Sequence, residues 1–326
     1  LIAATDIFSI SNHKQFEKIA LKVFHFQYDN NLVYREFCQH LNIEKQHVKS
    51  LLQIPFLPIQ FFKSHEVVTG NNPIKSTFTS SGTTGLATSK HLLADLSLYE
   101  SSYRQAFSQF YGNIEDYVVL ALLPSYLERE GSSLIYMVND LIESSQNSDS
   151  GFYLHNYNEL ITKLIALDQS GQNVILIGVT YALLDLIEKQ KFQLQNTIIM
   201  ETGGMKGKRK ELIREELHEL LCRGFGVATI HSEYGMTELL SQAYSLGNGV
   251  FECPPWMQIL IRDTEDALHY VAEGKTGGIN VIDLANLNSC SFIATQDLGK
   301  KNPNATFEVL GRFDNSDIRG CNLMVF

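Results

Sequence analysis

Between residues 76 and 245 the chain alternates short apolar runs of strand length with longer segments whose apolar residues recur at helical spacing. "STFT" reads as a strand, and Asp95 reads as the cap of a helix carrying Leu96, Tyr99, Tyr103, Phe107 and Phe110 on one face. "YVVLALLP" is a buried strand, "GSSLIYMVNDLIES" a helix, "GFYLHN" a strand and "YNELITKLIALDQSG" a helix. The alternation continues through strand "NVILIGVT", helix "YALLDLIEKQ", strand "NTIIMETGG", helix "KRKELIREELHELLCRG" and strand "VATIHSEYG". A chain built this way forms a wrapped α/β sheet whose ligands sit on the loops at the strand ends.

Three parts are expected. Residues 1–75 form a helical, aromatic-rich segment packed on the core, ending in "QIPFLPIQFF", where two prolines impose an extended course. Residues 76–245 form the α/β core, and 246–326 a strand-rich part with "QILIRD", "INVIDL", "SCSFIATQD" and "TFEVLGR". At 326 residues, 44% apolar and 19% charged, the chain can bury a large core and has no disordered signature. A formal net charge of -10 argues against a nucleic-acid binder or a polybasic membrane clamp, which leaves small molecules or proteins as partners. No run approaches the length of a membrane span, and the opening "LIAATDIFSI" lacks a basic leader region, so no stable membrane insertion and a cytoplasmic location are expected.

The segment "TSSGTTG", residues 79 to 85, contains no large side chain. It suits a surface turn or a phosphate cradle, in which converging backbone amides and small hydroxyls surround an anion. It is not a Walker loop, because Lys90 lies five residues beyond Gly85. Two H-x-x-x-D strings, His25 to Asp29 and His91 to Asp95, are read as chance among ten histidines. "HSEYGMTE", residues 231 to 238, places an aromatic, a hydroxyl and a carboxylate within five residues. Tyr234 suits stacking on a planar base, Thr237 a phosphate and Glu238 a Mg²⁺ ion, whereas the plainer reading is a capped strand-to-helix turn. Asp297 of "ATQDLG" suits two ribose hydroxyls, and Arg312 lies in "GRFDNSDIRGC". The five cysteines, Cys38, Cys222, Cys253, Cys290 and Cys321, are odd in number and form no C-x-x-C pair, so neither a disulfide framework nor a zinc site is expected.

In this order, "TSSGTTG", "YGMTE", "QDLG" and "GRFD" resemble the successive motifs of the adenylate-forming superfamily, from roughly residue 76 to the end. The resemblance implies an adenylate-forming large-domain-like fold, with wrapped α/β sheets and a strand-rich C-terminal part. The usual members continue into a further small domain carrying a lysine that assists adenylation, and this chain is expected to depart from them in lacking it. It implies that Ser80, Ser81, Gly82, Thr83, Thr84 and Gly85 hold the ATP phosphates and that Gly203 and Gly204 border adenine with Tyr234. By the same resemblance Thr237 touches the α-phosphate, Glu238 holds Mg²⁺, and Asp297 and Arg312 hold ribose. The sequence departs from the superfamily at "GLATSK", where G-x-P-K is usual, so no role follows for Lys90.

"PSYLEREGSSL", "ETGGMKG" and "NSDIRGCNLMVF" are similar to the acyl-protein synthetase branch, LuxE-like, the fatty-acid activating subunits of a bacterial fatty acid reductase. That likeness implies a fatty acid or other carboxylate substrate, and transfer of the acyl group from acyl-AMP to Cys321. It also implies an acyl-acceptor protein, such as a reductase, as partner. Arg319, two residues before Cys321, favours a thiolate if the tail is extended, while Asp314 and Asp317 oppose it. Val179 and Tyr181 of "GVTYALL" fit the wall of an acyl pocket or the plain core. Two other readings stay open: a ligase passing the acyl group directly to coenzyme A or a carrier protein, and a non-catalytic nucleotide-binding scaffold subunit.

Overall fold

The structure, a computed structural model, describes residues 2–80, 88–124, 130–203, 209 and 212–313. Its N-terminal part begins with helices α1 (Ala4–Phe8), α2 (His13–Asn30) and α3 (Leu32–His40). Asn12 caps α2 by accepting from the Gln15 amide, and Asn31 both ends α2 and caps α3 through the Tyr34 amide. The proline-punctuated segment runs extended over β1 (Leu57–Pro58), as expected, but then turns into a short helix, α4 (Phe61–Ser64). Strand β1 pairs in parallel with residues Ile293 and Ala294, and the amide donated back to Ala294 comes from Ile59, not from the proline. That is how a proline is tolerated in a short edge strand.

A two-stranded antiparallel hairpin follows, β2 (Ser76–Thr79) and β3 (Lys90–Leu93), with Thr79 opposite Lys90. Residues 81–87 of the glycine-rich loop connect these strands and lie outside the described residues. Asp95 caps α5 (Leu96–Tyr111) through the Ser97 amide, and Tyr99, Tyr103 and Phe107 are buried on its inner face. Burial of each such side chain favours the fold by about 1.5–3 kcal/mol.

The central sheet has the order β5-β4-β6-β7-β8-β9. Strands β4 (Val118–Leu122), β5 (Gly151–Tyr153), β6 (Val174–Val179), β7 (Thr197–Thr202) and β8 (His231–Tyr234) are parallel, and β9 (Ala243–Ser245) closes the edge antiparallel to β8. Every residue of β4 and β6 is buried, because helices cover both faces; this is why their sequences are unbroken apolar runs rather than alternating ones. The connecting helices are α6 (Ser133–Ser144), α7 (Tyr157–Gln169), α8 (Thr180–Lys189) and α9 (Arg214–Phe225). Helix α9 begins at Arg214 and not within "KRKE". Glu215 and Glu216 occupy its first turn, where acidic side chains suit the positive helix end, and the basic run before them does not.

The strand-rich part is an antiparallel sheet, β10 (Val250–Phe251), β11 (Met257–Arg262), β12 (Thr276–Asp283), β13 (Phe292–Lys301) and β14 (Phe307–Arg312), in the order β10-β14-β13-β12-β11. Trp256 ties it to α5 by donating its indole N–H to Ser102 Oγ at 2.9 Å and to Ser241 Oγ at 3.1 Å. Among the described residues no helix is long and apolar enough to cross a membrane.

Candidate active site

The carboxyl ends of β6, β7 and β8, the loop end of the β2–β3 hairpin and the middle of β13, where Asp297 pairs with Arg312 at the end of β14, converge on one region. Parallel sheets bind ligands at this end, in the crevice outside the carboxyl ends of the strands, where the amino ends of the following helices present free N–H groups. The hairpin is anchored to it by the Thr79 amide, which donates to the Gly131 carbonyl at 2.8 Å. Gly131 has φ +75° and lies so close to the hairpin that a Cβ there would stand 2.9 Å from Thr79 Oγ1. Glycine is therefore needed at Gly131 both for its conformation and for the contact. Ser80 continues β2 by donating its amide to the Ser89 carbonyl and receiving the Ser89 amide on its own hydroxyl at 2.9 Å. Ser81, Gly82, Thr83, Thr84 and Gly85 lie outside the described residues, as do Gly204 and Cys321.

Tyr234, at the end of β8, donates its hydroxyl to Asp297 Oδ2 at 2.8 Å. Arg312 donates its Nε to the other carboxylate oxygen at 3.2 Å, and Asp297 and Arg312 face each other in the β13–β14 register. Three residues expected on one nucleotide are thus joined through one carboxylate. The Tyr234 ring packs edge-on against Phe251 and Phe307, and the residue is 8% exposed. Burial, with the Asp297 carboxylate next to it, pushes the Tyr234 phenol well above its usual range, which keeps it a donor.

Glu238 is buried, and burial raises its carboxyl above the usual range; hydrogen bonding to Ser89 and the charges of Arg312 and Lys63 offset this only in part. A buried carboxylate short of positive charge suits a hard divalent cation, so the residues fit Mg²⁺. The turn that carries Glu238 is held from below. His91 Nδ1 lies 2.8 Å from the Thr237 carbonyl, Asn286 donates Nδ2–H to the Glu238 carbonyl at 2.7 Å, and the fully buried Asp283 receives the amides of Leu240 and Ser241 at 2.7 and 2.9 Å. Of the two H-x-x-x-D strings, His91 belongs to this support while Asp95 caps α5, and Asp29 pairs with Lys45. No dyad forms from either string. Nothing local in the sequence marks Asn286, which acts on a residue 48 positions away. Asp283 has a local role as the cap of the Leu284–Asn286 turn, through the Ala285 amide at 3.2 Å, but its hold on Leu240 and Ser241 spans more than forty positions.

Beneath Gly203, which has φ +69°, Thr180 donates its hydroxyl to the Gly203 carbonyl at 2.6 Å. Glu201, one strand position before Thr202, is buried, forms a half-buried ion pair with Arg214 and lies 3.6 Å from His218 Nε2. Burial opposes its ionisation, but hydrogen bonding to His218 and the Arg214 charge prevail and hold Glu201 below the usual carboxylate range. Among the described residues Glu233 pairs with no such cation. It accepts from the Thr202 hydroxyl, and burial together with the Glu201 charge pushes it up to about 7. Nothing in the sequence distinguishes either glutamate as a candidate, although Glu233 lies inside "HSEYGMTE". Val179 is fully buried and Tyr181 is 8% exposed, and both belong to the apolar core at the β6–α8 junction.

The described cysteines are free, and burial raises the thiol of each: Cys38 and Cys253 are pushed up to about 12, and Cys222 and Cys290 are also raised. Environments of that kind keep sulfur protonated and inert.

Solved structures with the same fold include ATP-bound MatB from Rhodopseudomonas palustris, at TM-score 0.56 and 16% identity, which covers 74% of this chain. This chain spans about half the length of that protein, 49%. A 2-hydroxyisobutyryl-CoA ligase complexed with 2-HIB-AMP and CoA matches at TM-score 0.66 and 12% identity, over 93% of this chain and 70% of that one. In sequence, the chain is 25% identical to the long-chain-fatty-acid--luciferin-component ligase of Vibrio harveyi over 97% of its length and 88% of the relative. The protein of the same name from Photorhabdus luminescens is 37% identical over 71 residues, 22% of this chain and 60% of that one. The family model described as "Acyl-protein synthetase, LuxE" matches residues 1–108 and 134–326. This chain, a mixed α/β protein of adenylate-forming fold, belongs to the acyl-protein synthetase (LuxE) family of ligases.

Proposed function

We propose that the protein activates a fatty acid with ATP and then takes the acyl group onto its own Cys321. The observation that carries this reading is the Tyr234–Asp297–Arg312 linkage beside the buried Glu238. A carboxylate presented by two donors is oriented to receive ribose hydroxyls, and an under-compensated carboxylate at the neighbouring turn is placed to hold Mg²⁺. One carboxylate is the usual protein share of such an ion, with phosphate oxygens and water supplying the rest. Mg²⁺ there would neutralise phosphate charge.

In the first step a fatty-acid carboxylate oxygen attacks the α-phosphorus of ATP. The bond to the bridging oxygen breaks, and pyrophosphate leaves with the electron pair. Thr237 and the 80–85 loop donate hydrogen bonds to the phosphate oxygens, and Arg312 holds Asp297 in the orientation ribose requires. In the second step the Cys321 thiolate attacks the acyl carbon, the bond to the phosphate oxygen breaks, and AMP leaves; the thiol proton goes to solvent. The high thiol range of Cys38, Cys222, Cys253 and Cys290 supports this choice among the cysteines. Tyr181, which keeps 8% of its surface exposed where Val179 keeps none, is the one of the two that can border the acyl chain, with Val179 packed in the core beside it, and an acceptor protein such as a reductase receives the thioester.

The test is pyrophosphate exchange into ATP, dependent on a fatty acid and Mg²⁺. Exchange in the wild type, lost in Asp297→Ala, supports the first step. ATP binding without exchange for any acid tried would leave a nucleotide-binding scaffold instead.

A further inference from the structure

His91 is fully buried on β3, and its Nδ1 hydrogen-bonds the Thr237 carbonyl at 2.8 Å. A carbonyl only accepts, so Nδ1 carries the proton and Nε2 is left as a lone pair. Neither that Nε2 nor the Oδ1 of Asn286 makes a well-formed hydrogen bond among the described residues. Burial is the larger effect on the ring and keeps the imidazole neutral, although the Asn286 side chain, whose amide nitrogen is committed to the Glu238 carbonyl at 2.7 Å, lies beside the ring and favours a proton on it. Burying an unsatisfied acceptor costs roughly 1–3 kcal/mol, and an aliphatic side chain of similar size would avoid that cost. What imidazole gains at this position is the bond to Thr237.

That bond has a definite geometry. His91 lies on the arm of the hairpin that leaves the 81–87 loop, while Asn286 ends the 3-10 turn Leu284–Asn286 that follows β12. Two consecutive carbonyls, of Thr237 and Glu238, are therefore pinned by buried donors from two separate elements; the Leu239 amide closes back on the Met236 carbonyl, and the amides of Leu240 and Ser241 are pinned by Asp283. Residues held this way cannot rotate their peptide planes without losing a buried hydrogen bond. The side chains of Thr237 and Glu238 leave from those planes.

We propose that His91 is a positioning residue for the Thr237–Glu238 turn, holding it at a fixed distance from the hairpin through the Nδ1–H bond to the Thr237 carbonyl, with Asn286 as its counterpart on Glu238. His91 touches neither nucleotide nor metal in this role. The proposal rests on the reading of Glu238 as the Mg²⁺ ligand, and it is tested by two measurements that separate the two ideas.

The first is the tautomer, read from long-range proton–nitrogen correlation of ¹⁵N-histidine-labelled protein at pH 7.5 without nucleotide. A proton on Nδ1 and a bare Nε2 for the resonance missing in His91→Asn is the expected result, and a proton on Nε2 overturns the proposal whatever the enzyme does. The second is the Mg²⁺ concentration that half-saturates the rise in melting temperature caused by ATP. His91→Leu removes the donor, whereas His91→Asn keeps an N–H near the Nδ1 position. Losing one buried hydrogen bond at the turn is expected to raise the midpoint by about fivefold or more in His91→Leu and to leave it within about twofold in His91→Asn. Equal midpoints in wild type and His91→Leu, or equal losses in both variants, would overturn the proposal. If His91→Leu does not fold, Asn286→Leu is read in the same way. If wild type shows no Mg²⁺-dependent rise, the nucleotide reading falls and the tautomer alone decides the role of His91.

Discussion

The Tyr234 hydroxyl donates to Asp297 Oδ2 at 2.8 Å, and this one bond joins the last parallel strand of the central sheet to the longest strand of the antiparallel sheet, across 63 residues of sequence. Both residues are buried, so the bond is shielded from water and fixes one carboxylate oxygen while Arg312 holds the other. The candidate site is therefore built on a junction between two sheets rather than within either.

Tyr234→Phe removes that donor and leaves a buried carboxylate oxygen unpaired. The expected loss is about 1–3 kcal/mol of unfolding free energy in urea, with weaker ATP binding by calorimetry. Retention of both stability and affinity would mean that Arg312 alone orients Asp297.

Asp283 accepts from the Leu240 and Ser241 amides and from the Ser241 hydroxyl, with no exposed surface of its own. In Asp283→Ala these donors are left buried without an acceptor, and the expected cost is at least about 3 kcal/mol. Hydrogen exchange should locate the loosening first at Leu240 and Ser241, before the central sheet opens.

Glu233 is pushed up to about 7 by burial and the Glu201 charge, from a usual value of 4.5. Between those pH values the folded protein binds more protons than the unfolded chain, so stability falls as pH rises from 4.5 to 7 and then levels off. Glu233→Gln removes this slope. It should match wild type near pH 4 and exceed it by up to about 3 kcal/mol at pH 8. A wild-type advantage at pH 8 would show that the carboxylate there has a compensating cation.

Gly226 follows α9 with φ +69°, donates its amide to the Cys222 carbonyl at 2.8 Å, and would place a Cβ 2.6 Å from the Phe192 carbonyl oxygen. Gly226→Ala combines left-handed strain with a clash against backbone that cannot rotate away. A loss of about 1–3 kcal/mol in thermal unfolding is expected, without change in the site itself.

Much of the fold was legible in the sequence, because fully buried strands such as Val118–Leu122 and Val174–Val179 write themselves as unbroken apolar runs. Asp95 was legible as a cap because its bond is local. The start of α9 was misplaced by the basic residues ahead of it, although the acidic pair Glu215 and Glu216 marks the true first turn. Tyr234, Glu238, Asp297 and Arg312 stood out because each lies in a short motif of recognisable order. His91 and Asn286 did not, since what matters in them is a partner 146 or 48 positions away, and an isolated histidine or asparagine carries no trace of that distance. Glu233 was hidden differently: its elevated range comes from burial and from the Glu201 charge on the adjacent strand, a property of packing and not of its neighbours in sequence.

The central claim is that activation by ATP ends in an acyl group on Cys321, and intact mass tests it most directly. The wild type and Cys321→Ala are incubated with MgATP and a series of short to long fatty acids. The account predicts a single acyl adduct on the wild type that requires ATP, is removed by hydroxylamine, names the preferred chain length and is missing from the variant. Equal adducts on both proteins, or exchange of pyrophosphate with no adduct on either, would contradict it and place the acyl group on another residue or on a diffusible thiol.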